Sequence, residues 1–341
     1  MRAELDCREA VGLDGDRRHD ARITLHIADK SFVLLIVAKK TAYPRDVRQV
    51  LWQLKDFGPT RQAGIGGDKP MLLLVAEFIS PGGKELLRTE RVGYYDSGGS
   101  LFLSAHGAYL YIDRPPPKAL SKSVRALFSG RSAQVLHTLL VHHQEWFGGK
   151  ELAERAQVSP ATASQILTEL ERFDWLASRG QGPSKERHLK EPAALLDAWV
   201  KQLPSIRPAT LQRYYVPAMT AGNLLEHVGQ VFTAHNVEYA ISHEAAAQRY
   251  APFLSSVSQV RCRLLAGPVA SAAIGELGAR VVSEGANLAI IEAKSPGELL
   301  LRECVGGIWL ASPIQVYLDL LRGEGRAKEM AEHLRRERIG F

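Results

Sequence analysis

Three consecutive prolines at positions 115–117 constrain the folding of this 341-residue chain more than any other feature. Proline fixes φ at about −65° and lacks an amide hydrogen, so such a run cannot continue a helix or occupy a central strand. It forms a semi-rigid extended spacer instead. The sequence is therefore predicted to divide into separate domains, with residues 115–119 as the linker, and a chain of this length is expected to hold two or three.

Before the linker, residues 1–114 have the pattern of a small α/β domain. Residues 1–20 are charged and lack apolar periodicity, which predicts a loosely ordered lead. From Ala21 onward, alternating and solid apolar runs such as FVLLIV are interrupted by two helical patterns. The predicted order of elements is β-β-α-β-α-β-β-β.

After the linker, residues 120–204 have the pattern of a helix-turn-helix followed by a β-hairpin. KELAERA and SPATASQILTELERF predict two helices joined by a very short turn, and WLASRGQGPSKERHLKEP predicts two strands around a Gly/Pro/Ser tip. Ser159 is expected to cap the second helix. The side of that helix predicted to face the core comprises Ala163, Ile166, Leu167 and Leu170.

The outward side of the second helix carries small hydroxyls, an amide and a guanidinium, groups that contact base edges and phosphates. The hairpin adds basic side chains suited to phosphate contacts. Over residues 118–191 Lys and Arg exceed Asp and Glu by only 11 − 8 = +3. The prediction therefore depends on where the basic side chains lie, not on a large net positive charge. The predicted DNA-binding residues are Lys150, Ser159, Thr162, Ser164, Gln165, Thr168, Arg172, Arg179, Lys185 and Arg187.

Two families resemble this chain. The motif S-x-x-T-x-S-x-x-L-x-x-L from Ser159 onward, with the basic hairpin, resembles the winged helix-turn-helix of MarR-like regulators. GRAKEMAEHL after SPIQVYLDLL, together with YAISHEAAAQRYAPFL, resembles AbiEi-type antitoxins and transcriptional regulators of type IV toxin–antitoxin systems. YYDSGGSLFLS resembles that family's Y-I-D-x-x-G-N segment, with Ser100 where Asn is usual.

The second resemblance implies a sequence-specific repressor of double-stranded DNA, in some members of its own operon and sometimes paired with a nucleotidyltransferase toxin. A regulator without a toxin partner fits the residues equally well. Because specific sites are often palindromic, we expect a homodimer. The alternative for this segment is a scaffold that uses its winged helix to bind protein, which the acidic Glu169 and Glu171 favour.

Residues 1–114 resemble a restriction-endonuclease-like α/β domain, and this resemblance implies a metal site of the form D…(D/E)-x-K. The matching tripeptide is Val37–Ala38–Lys39, and a valine cannot ligate a divalent cation. Asp29 offers one carboxylate and Lys39 the amine, so only the second carboxylate of the motif is missing. We expect a degenerate nuclease fold, and the rival hypothesis is a divalent-metal-dependent nuclease.

Residues 205–341 have a mixed α/β pattern that resembles the nucleotidyltransferase fold. Such enzymes need a Gly-Ser turn and an Asp-x-Asp pair on the next strand. Here Ser242–His243 stands at the turn, and the next strand carries Arg261 and Arg263, which are expected to form surface salt bridges or to bind nucleic acid or a partner. The sequence therefore predicts an α/β multidomain protein that is not an enzyme and has no metal or cofactor.

Composition excludes several other classes. Hydrophobic residues make up 45% and charged residues 23% of the chain, as in soluble globular proteins. No apolar run approaches the ~20 residues that span a bilayer, and the N-terminus lacks the apolar core of a signal peptide. We therefore expect a cytoplasmic protein that does not contact membranes. Cys7, Cys262 and Cys304 are far apart and are expected to be buried thiols.

Overall fold

The computed structural model describes residues 2–6, 20–27, 30–55, 71–105, 108–115, 125–217 and 219–341. They group into two compact units: Met1–Ser123 with Thr168–Asp174, and Val124–Leu167 with Trp175–Phe341. Both units contain helices and sheets, so the chain is a mixed α/β multidomain protein. The predicted boundary between residues 204 and 205 falls within the second unit. Of the predicted linker, only Pro115 is among the described residues.

The first unit is built on a seven-stranded sheet whose spatial order, β1 to β7, follows the chain. The pairs β3–β4 and β4–β5 are parallel and the others antiparallel. Each parallel connection contains a helix, as a parallel crossover requires. The strands are β1 (Arg2–Asp6), β2 (Ala21–Ile27), β3 (Lys30–Ala42), β4 (Met71–Ile79), β5 (Gly93–Asp96), β6 (Leu101–Ala105) and β7 (Ala108–Ile112).

Two amphipathic helices, α1 (Pro44–Lys55) and α2 (Pro81–Thr89), contribute to the main core of this unit. Each begins with proline in its first turn, where the missing amide hydrogen costs nothing. Ser80 caps α2 by accepting a hydrogen bond from the Gly83 amide at 3.1 Å. A side chain at Gly83 would meet the Ala42 carbonyl at 2.9 Å, so glycine allows α2 to approach β3 closely.

The prediction of a loose lead over residues 1–20 is wrong for its first part, because Arg2–Asp6 form β1 and pair antiparallel with β2. The segment RAELD alternates polar and apolar residues, which suits a strand. Five residues are too few for that period to stand out among the charges of the lead. Residues 7–19 lie outside the described part of the chain.

The second unit begins with the predicted helix-turn-helix and hairpin, except that Thr168–Asp174, at the end of the second helix, group with the first unit. A three-stranded antiparallel sheet of order β8-β10-β9 accompanies its helices. Val135, Leu136, Leu139 and Leu140 are buried along the first helix, as its periodicity predicts. The elements are α3 (Gly130–Val141), β8 (Trp146–Gly148), α4 (Gly149–Arg155), α5 (Pro160–Arg172), β9 (Leu176–Arg179), β10 (Glu186–Leu189) and α6 (Pro192–Gln202).

The remainder of the second unit surrounds a mixed seven-stranded sheet of order β14-β11-β15-β13-β12-β17-β16. Its strands are β11 (Leu211–Tyr215), β12 (Tyr239–Ser242), β13 (Val260–Leu264), β14 (Arg280–Val281), β15 (Leu288–Glu292), β16 (Glu303–Val305) and β17 (Ile308–Leu310). Its helices are α7 (Ala221–Ala234), α8 (His243–Tyr250), α9 (Pro268–Glu276), α10 (Pro313–Leu320) and α11 (Ala327–Leu334).

The two described cysteines differ in their surroundings. Cys262 is buried on the central strand β13, where desolvation raises the pKa of its thiol. Cys304 is exposed, so the expectation of a buried thiol is wrong there. Its strand β16 lies at the edge of the sheet, where side chains remain accessible to solvent.

Candidate nucleic-acid interface

The turn between α4 and α5 is tight because the chain reverses through one left-handed residue. Gln157 has φ of +51°, and the Val158 amide donates a hydrogen bond to the Ala153 carbonyl at 2.9 Å. Leu152, Ala153 and Ala156 are buried beneath the turn. The two helices are thus held together by buried apolar side chains and a backbone hydrogen bond, the arrangement expected of a helix-turn-helix.

Helix α5 is capped at its N-terminus by two hydroxyl side chains. Ser159 Oγ accepts a hydrogen bond from the Thr162 amide at 3.2 Å and lies 2.9 Å from Thr162 Oγ1. Pro160 follows in the first turn. The cap satisfies an otherwise unpaired amide and leaves the positive end of the helix dipole at a surface that bears hydroxyl groups. Anions such as phosphate bind favourably at helix ends of this kind.

The two sides of α5 differ as the sequence predicts. Ala163, Ile166, Leu167 and Leu170 are buried, with no side chain more than 3% exposed. Ser164, Gln165 and Thr168 are exposed. Gln165 is the longest uncharged side chain on this outward side, and its amide group can both donate and accept hydrogen bonds.

The C-terminal end of α5 has a different environment, because Thr168–Asp174 groups with the first unit. There Arg172 Nη1 lies 3.2 Å from Glu169 Oε1, and its guanidinium lies over the Tyr43 ring at 5.9 Å from the centroid. Phe173 packs edge-on against the same ring. Arg172 is therefore engaged within the protein.

The hairpin after α5 consists of β9 and β10 joined by a tight tip. Gly180 has φ of +73°, and a side chain there would meet the Ser184 carbonyl at 2.6 Å, so the tip requires glycine. Arg179 pairs with Glu186 directly across the hairpin, with 2.6 Å between Nε and Oε2. Lys185 and Arg187 are half-buried. The predicted basic residues thus lie on one hairpin, and Arg179 is bound to an acid.

An aromatic stack supports the hairpin and was missed by the sequence analysis. Trp146 on β8 stacks on His188 of β10 with ring centroids 5.2 Å apart, and the Arg179 guanidinium lies 4.3 Å from the Trp146 centroid. A cation over an indole ring is held more firmly than one in water. The tripeptide Trp146–Phe147–Gly148 was the available signal, but three residues are too few to show strand periodicity.

Lys150 lies in the first turn of α4 with 86% of its side chain exposed. Its nearest acid is Glu154, at 3.9 Å, an exposed pair that contributes little to stability. Lys150 therefore carries a charge that is available to a partner. By contrast, Arg155 on the same helix bonds both Glu145 and Glu151, at 2.7 and 2.8 Å.

The predicted nuclease site is incomplete among the described residues. Val37 is buried within the sheet, Lys39 is half-buried and Lys40 is exposed, while Asp29 lies outside the described residues. Elsewhere in the first unit, buried Lys84 contacts Asp96 at 2.9 Å and Asp113 at 3.2 Å. In the described ranges no three His, Cys, Asp or Glu side chains are grouped so that they could hold a metal ion.

The C-terminal region buries a polar cluster around Asp319. Arg263 donates to both carboxylate oxygens, at 2.6 and 3.2 Å, and Ser242 Oγ donates to the same carboxylate. Burial is the largest single influence and acts to raise the pKa of Asp319, but the charges of Arg263 and His243 and the hydrogen bonds from Arg263 and Ser242 together outweigh it, so the pKa is lowered. The expectation that Arg263 lies at the surface is wrong, because its side chain neutralises a buried acid. Arg261 lies 3.8 Å from Glu244.

His243 also lies beside this carboxylate, with Nδ1 3.8 Å from Asp319 Oδ2. Desolvation lowers the pKa of His243, and its buried Nδ1 has no hydrogen-bond partner in the described part of the chain. The residue begins α8 with φ of +55°. Ser242 bonds to Asp319 rather than to His243, so these three residues do not form the relay of a serine hydrolase.

Comparison with known proteins gives little guidance. No family model matches the chain, and no curated protein is similar enough to count as a relative. Among solved structures, NolR from Sinorhizobium fredii is similar at 15% sequence identity, covering 26% of this chain and 95% of that chain, with a TM-score of 0.19. A TM-score of this size does not establish a common fold.

None of the helices in the described part of the chain is long and apolar enough to cross a bilayer.

Proposed function

We propose that this chain is a sequence-specific DNA-binding protein and that residues 125–202 form a winged helix-turn-helix. The observation that carries the proposal is the two-sided character of α5. Its apolar side is buried, while its capped N-terminal half presents Ser159, Ser164 and Gln165. A helix of this kind fits the major groove, where small hydroxyls and amides can contact base edges.

In this proposal some side chains read the base sequence, and others contact the phosphates and position the protein on the duplex. Gln165 reads a base, since glutamine can donate to and accept from adenine at once. The α5 N-terminus, Lys150 and the hairpin residues Lys185 and Arg187 contact the phosphates. Arg179 is fixed by Glu186 and Trp146, so its main role is to hold the hairpin in shape.

The finer assignment is a transcriptional repressor of the AbiEi antitoxin type. It is supported by the sequence motifs alone, together with the MarR-like pattern from Ser159 to Leu170. The first unit is then a restriction-endonuclease-like domain without catalysis, and the region after residue 204 is a nucleotidyltransferase-like domain without catalysis. The ligand is double-stranded DNA, including the regulatory DNA of a toxin gene where one is present, and the protein binds as a homodimer in the cytoplasm.

The proposal is tested by selecting bound duplexes from a random pool and measuring their affinity by fluorescence anisotropy. Gln165→Ala is expected to weaken the selected site by about 1–3 kcal/mol and to relax base choice at one position. Affinity for unrelated duplex should change little, since the phosphate contacts remain. Equal weakening on every sequence would exclude Gln165 as a reader.

The hairpin has its own test through the dependence of affinity on salt. Replacing Arg187 by Gln removes one phosphate contact, so the slope of log K against log[salt] should decrease by about one unit on all sequences. Lys150→Ala should act in the same direction. Lys328→Ala, at an exposed position on α11, is the matched control. An unchanged slope for Arg187→Gln would remove the hairpin from the interface.

A separate assay addresses catalysis. The purified chain is incubated with plasmid and Mg²⁺ or Mn²⁺, and the proposal expects intact plasmid. Cleavage that is lost in Lys39→Ala would favour the nuclease instead, and failure to bind any duplex at low salt would favour the protein-binding scaffold.

A further inference from the structure

Strand β7 is an exposed edge of unusual composition. Its sequence is Ala-Tyr-Leu-Tyr-Ile, and the side chains of Tyr109, Leu110, Tyr111 and Ile112 are 70%, 46%, 41% and 39% exposed. Among the described strands it pairs with β6 on one side and ends the sheet on the other. Edge strands expose unpaired backbone groups, and an exposed apolar edge is a template for another strand.

The other described edges of the two seven-stranded sheets are protected in ways that β7 is not. At the opposite edge of the same sheet, β1 includes Arg2, Glu4 and Asp6. In the seven-stranded sheet of the second unit, one edge strand has only two residues, Arg280–Val281, and the other has three, including Glu303. Charge and shortness are the usual protections against strand addition. Strand β7 has neither, since its five residues carry no charge and no proline.

The apolar surface continues from β7 onto one face of the sheet. Leu110 lies opposite Leu103, and Ile112 opposite Leu101, which in turn lies opposite Tyr95. Tyr95 is 43% exposed, and Leu101 and Leu103 are half-buried. Contiguous exposed apolar patches of this kind mark interaction sites in soluble proteins.

We propose that β7 pairs antiparallel with β7 of a second copy of this chain, about a two-fold axis through Leu110. This interface joins the first-unit sheet of one copy to the first-unit sheet of the other, so that they form one continuous sheet. The sequence is self-complementary in that register, because Leu110 faces Leu110 of the second copy and Tyr109 faces its Tyr111. Cross-strand aromatic pairs stabilise a sheet. On the face that carries Tyr111, Arg88 donates a hydrogen bond to the Tyr111 hydroxyl at 2.8 Å and holds that side chain in place.

The charges that follow the strand favour a second copy in this orientation. Asp113 and Arg114 come directly after β7 and are exposed. Antiparallel pairing places Asp113 and Arg114 of one copy at the opposite end of the β7–β7 interface from the same two residues of the other copy, so like charges stay apart. Parallel pairing would set Asp113 against Asp113, which is unfavourable. The proposal is independent of DNA binding, but it supplies the two-fold symmetry that a palindromic site requires.

The area limits the strength of this dimer. Five paired residues with the adjoining face fall at or below the ~800 Å² per partner of a standard interface, so the association should depend on concentration. Sedimentation velocity on the full chain from about 1 to about 100 µM covers this regime. A shift from monomer to dimer is expected, and a monomer throughout would overturn the proposal.

Leu110→Lys is the decisive variant because it sets two ammonium groups against each other on the axis. The dissociation constant should rise at least about tenfold, as like charges directly opposite destabilise a strand pair. Val281→Lys is the matched control, since Val281 is 77% exposed on a strand at the edge of the other sheet. Leu110→Lys with wild-type association, or Val281→Lys with an equal loss, would overturn the proposal.

Mixing two variants tests the register itself. Leu110→Lys and Leu110→Glu should each be monomeric when alone, and their equimolar mixture should form a heterodimer through the opposed charges. Circular dichroism confirms that both are folded, which is expected because Leu110 is nearly half-exposed. Two folded variants that remain monomeric on mixing would exclude the two-fold axis at Leu110. DNA affinity for a single half-site is measured in parallel, so that a failure of dimerisation is distinguished from a failure of DNA binding.

Discussion

Each unit buries one charged cluster, and the two clusters differ in their access to water. In the first unit, Lys84 Nζ lies 2.6 Å from Ser100 Oγ, 2.9 Å from Asp96 and 3.2 Å from Asp113, whose side chain is 56% exposed. In the second unit, Asp319 is buried with Arg263 and Ser242. In the first cluster, water can therefore stabilise Asp113 if the Lys84 charge is removed. In the second cluster the most accessible member is Glu298, which is only 33% exposed and lies 3.7 Å from Arg263, so an unbalanced charge there should cost more.

The largest expected effect is at Asp319. Asp319→Asn leaves the buried Arg263 guanidinium with only the more distant Glu298 carboxylate, at 3.7 Å, as a counterion. Breaking a buried pair costs about 3–5 kcal/mol, and we expect a loss near the lower end of that range because Glu298 offsets part of it. Urea denaturation followed by tryptophan fluorescence in a Trp52→Phe background reports on the second unit, because the remaining four tryptophans lie within its ranges. A loss below about 1 kcal/mol would mean that water reaches Arg263 and would break the comparison.

A second expected effect, the dependence of stability on pH, also arises from the burial of an ionisable group. Burial lowers the pKa of His137 on α3 to about 4 from 6.5, and its Nε2 lies near Ser312 Oγ. Below pH 6.5 the unfolded chain binds a proton that the folded chain does not. The free energy of unfolding should therefore fall by about 3 kcal/mol between pH 6.5 and 4, and level off below that.

His137→Gln should remove this part of the pH dependence, measured as the difference between the two unfolding profiles. Ser312→Ala is the control, because it removes the nearby hydroxyl and keeps the imidazole. It should lower stability at every pH and retain the slope. Parallel profiles for wild type and His137→Gln would show that His137 is hydrated in solution.

A smaller loss is expected from Lys84→Met in the first unit. The Asp96 carboxylate keeps its hydrogen bond from the Ser100 amide at 3.0 Å, and Asp113 is free to take up water. We expect a cost of about 2 kcal/mol, between the value for an exposed pair and that for a fully buried one. Urea denaturation followed by circular dichroism measures it. A cost equal to that of Asp319→Asn would remove the proposed difference between the clusters.

The smallest effect should have the opposite sign. The Tyr94 hydroxyl is buried and has no hydrogen-bond partner among the described residues, and burial raises the pKa of Tyr94 to about 12. Tyr94→Phe removes the unsatisfied group while keeping the ring, so it should stabilise the first unit by about 1 kcal/mol. Tyr239→Phe is the matched control, because the Tyr239 hydroxyl has a carbonyl partner at Gly229. A destabilised Tyr94→Phe would indicate a bound water at that hydroxyl.

Local periodicity made part of this fold predictable. The buried side of α5 follows from apolar residues at helical spacing, and the hairpin follows from its Gly/Pro/Ser tip. The same holds for β3 and β4, whose solid apolar runs suit strands inside a sheet. The exposed positions of Ser164 and Gln165 then follow from the geometry of α5 alone.

Features that depend on distant pairing could not be predicted in this way. Arg263 and Asp319 are 56 positions apart and meet only because β13 and α10 belong to one folded region. The strand β11 pairs with β15 and with the two-residue β14, so its partners are not its neighbours in the chain. The grouping of Arg172 with Tyr43 likewise requires the tertiary structure.

The close contact between α3 and the C-terminal region has a consequence for how such proteins change over time. A side chain at Gly297 would lie 1.7 Å from Gln134 Nε2, and Arg335 bonds Asp197 of α6 at 2.7 Å. The proposed winged helix-turn-helix is therefore not an interchangeable cassette. Grafting a foreign segment in place of residues 125–202 would leave Arg335 without its Asp197 partner and would change the side chains against which Gly297 packs. If α5 reads DNA as proposed, new operator preferences are expected to arise by point substitution on α5 rather than by recombination of whole domains.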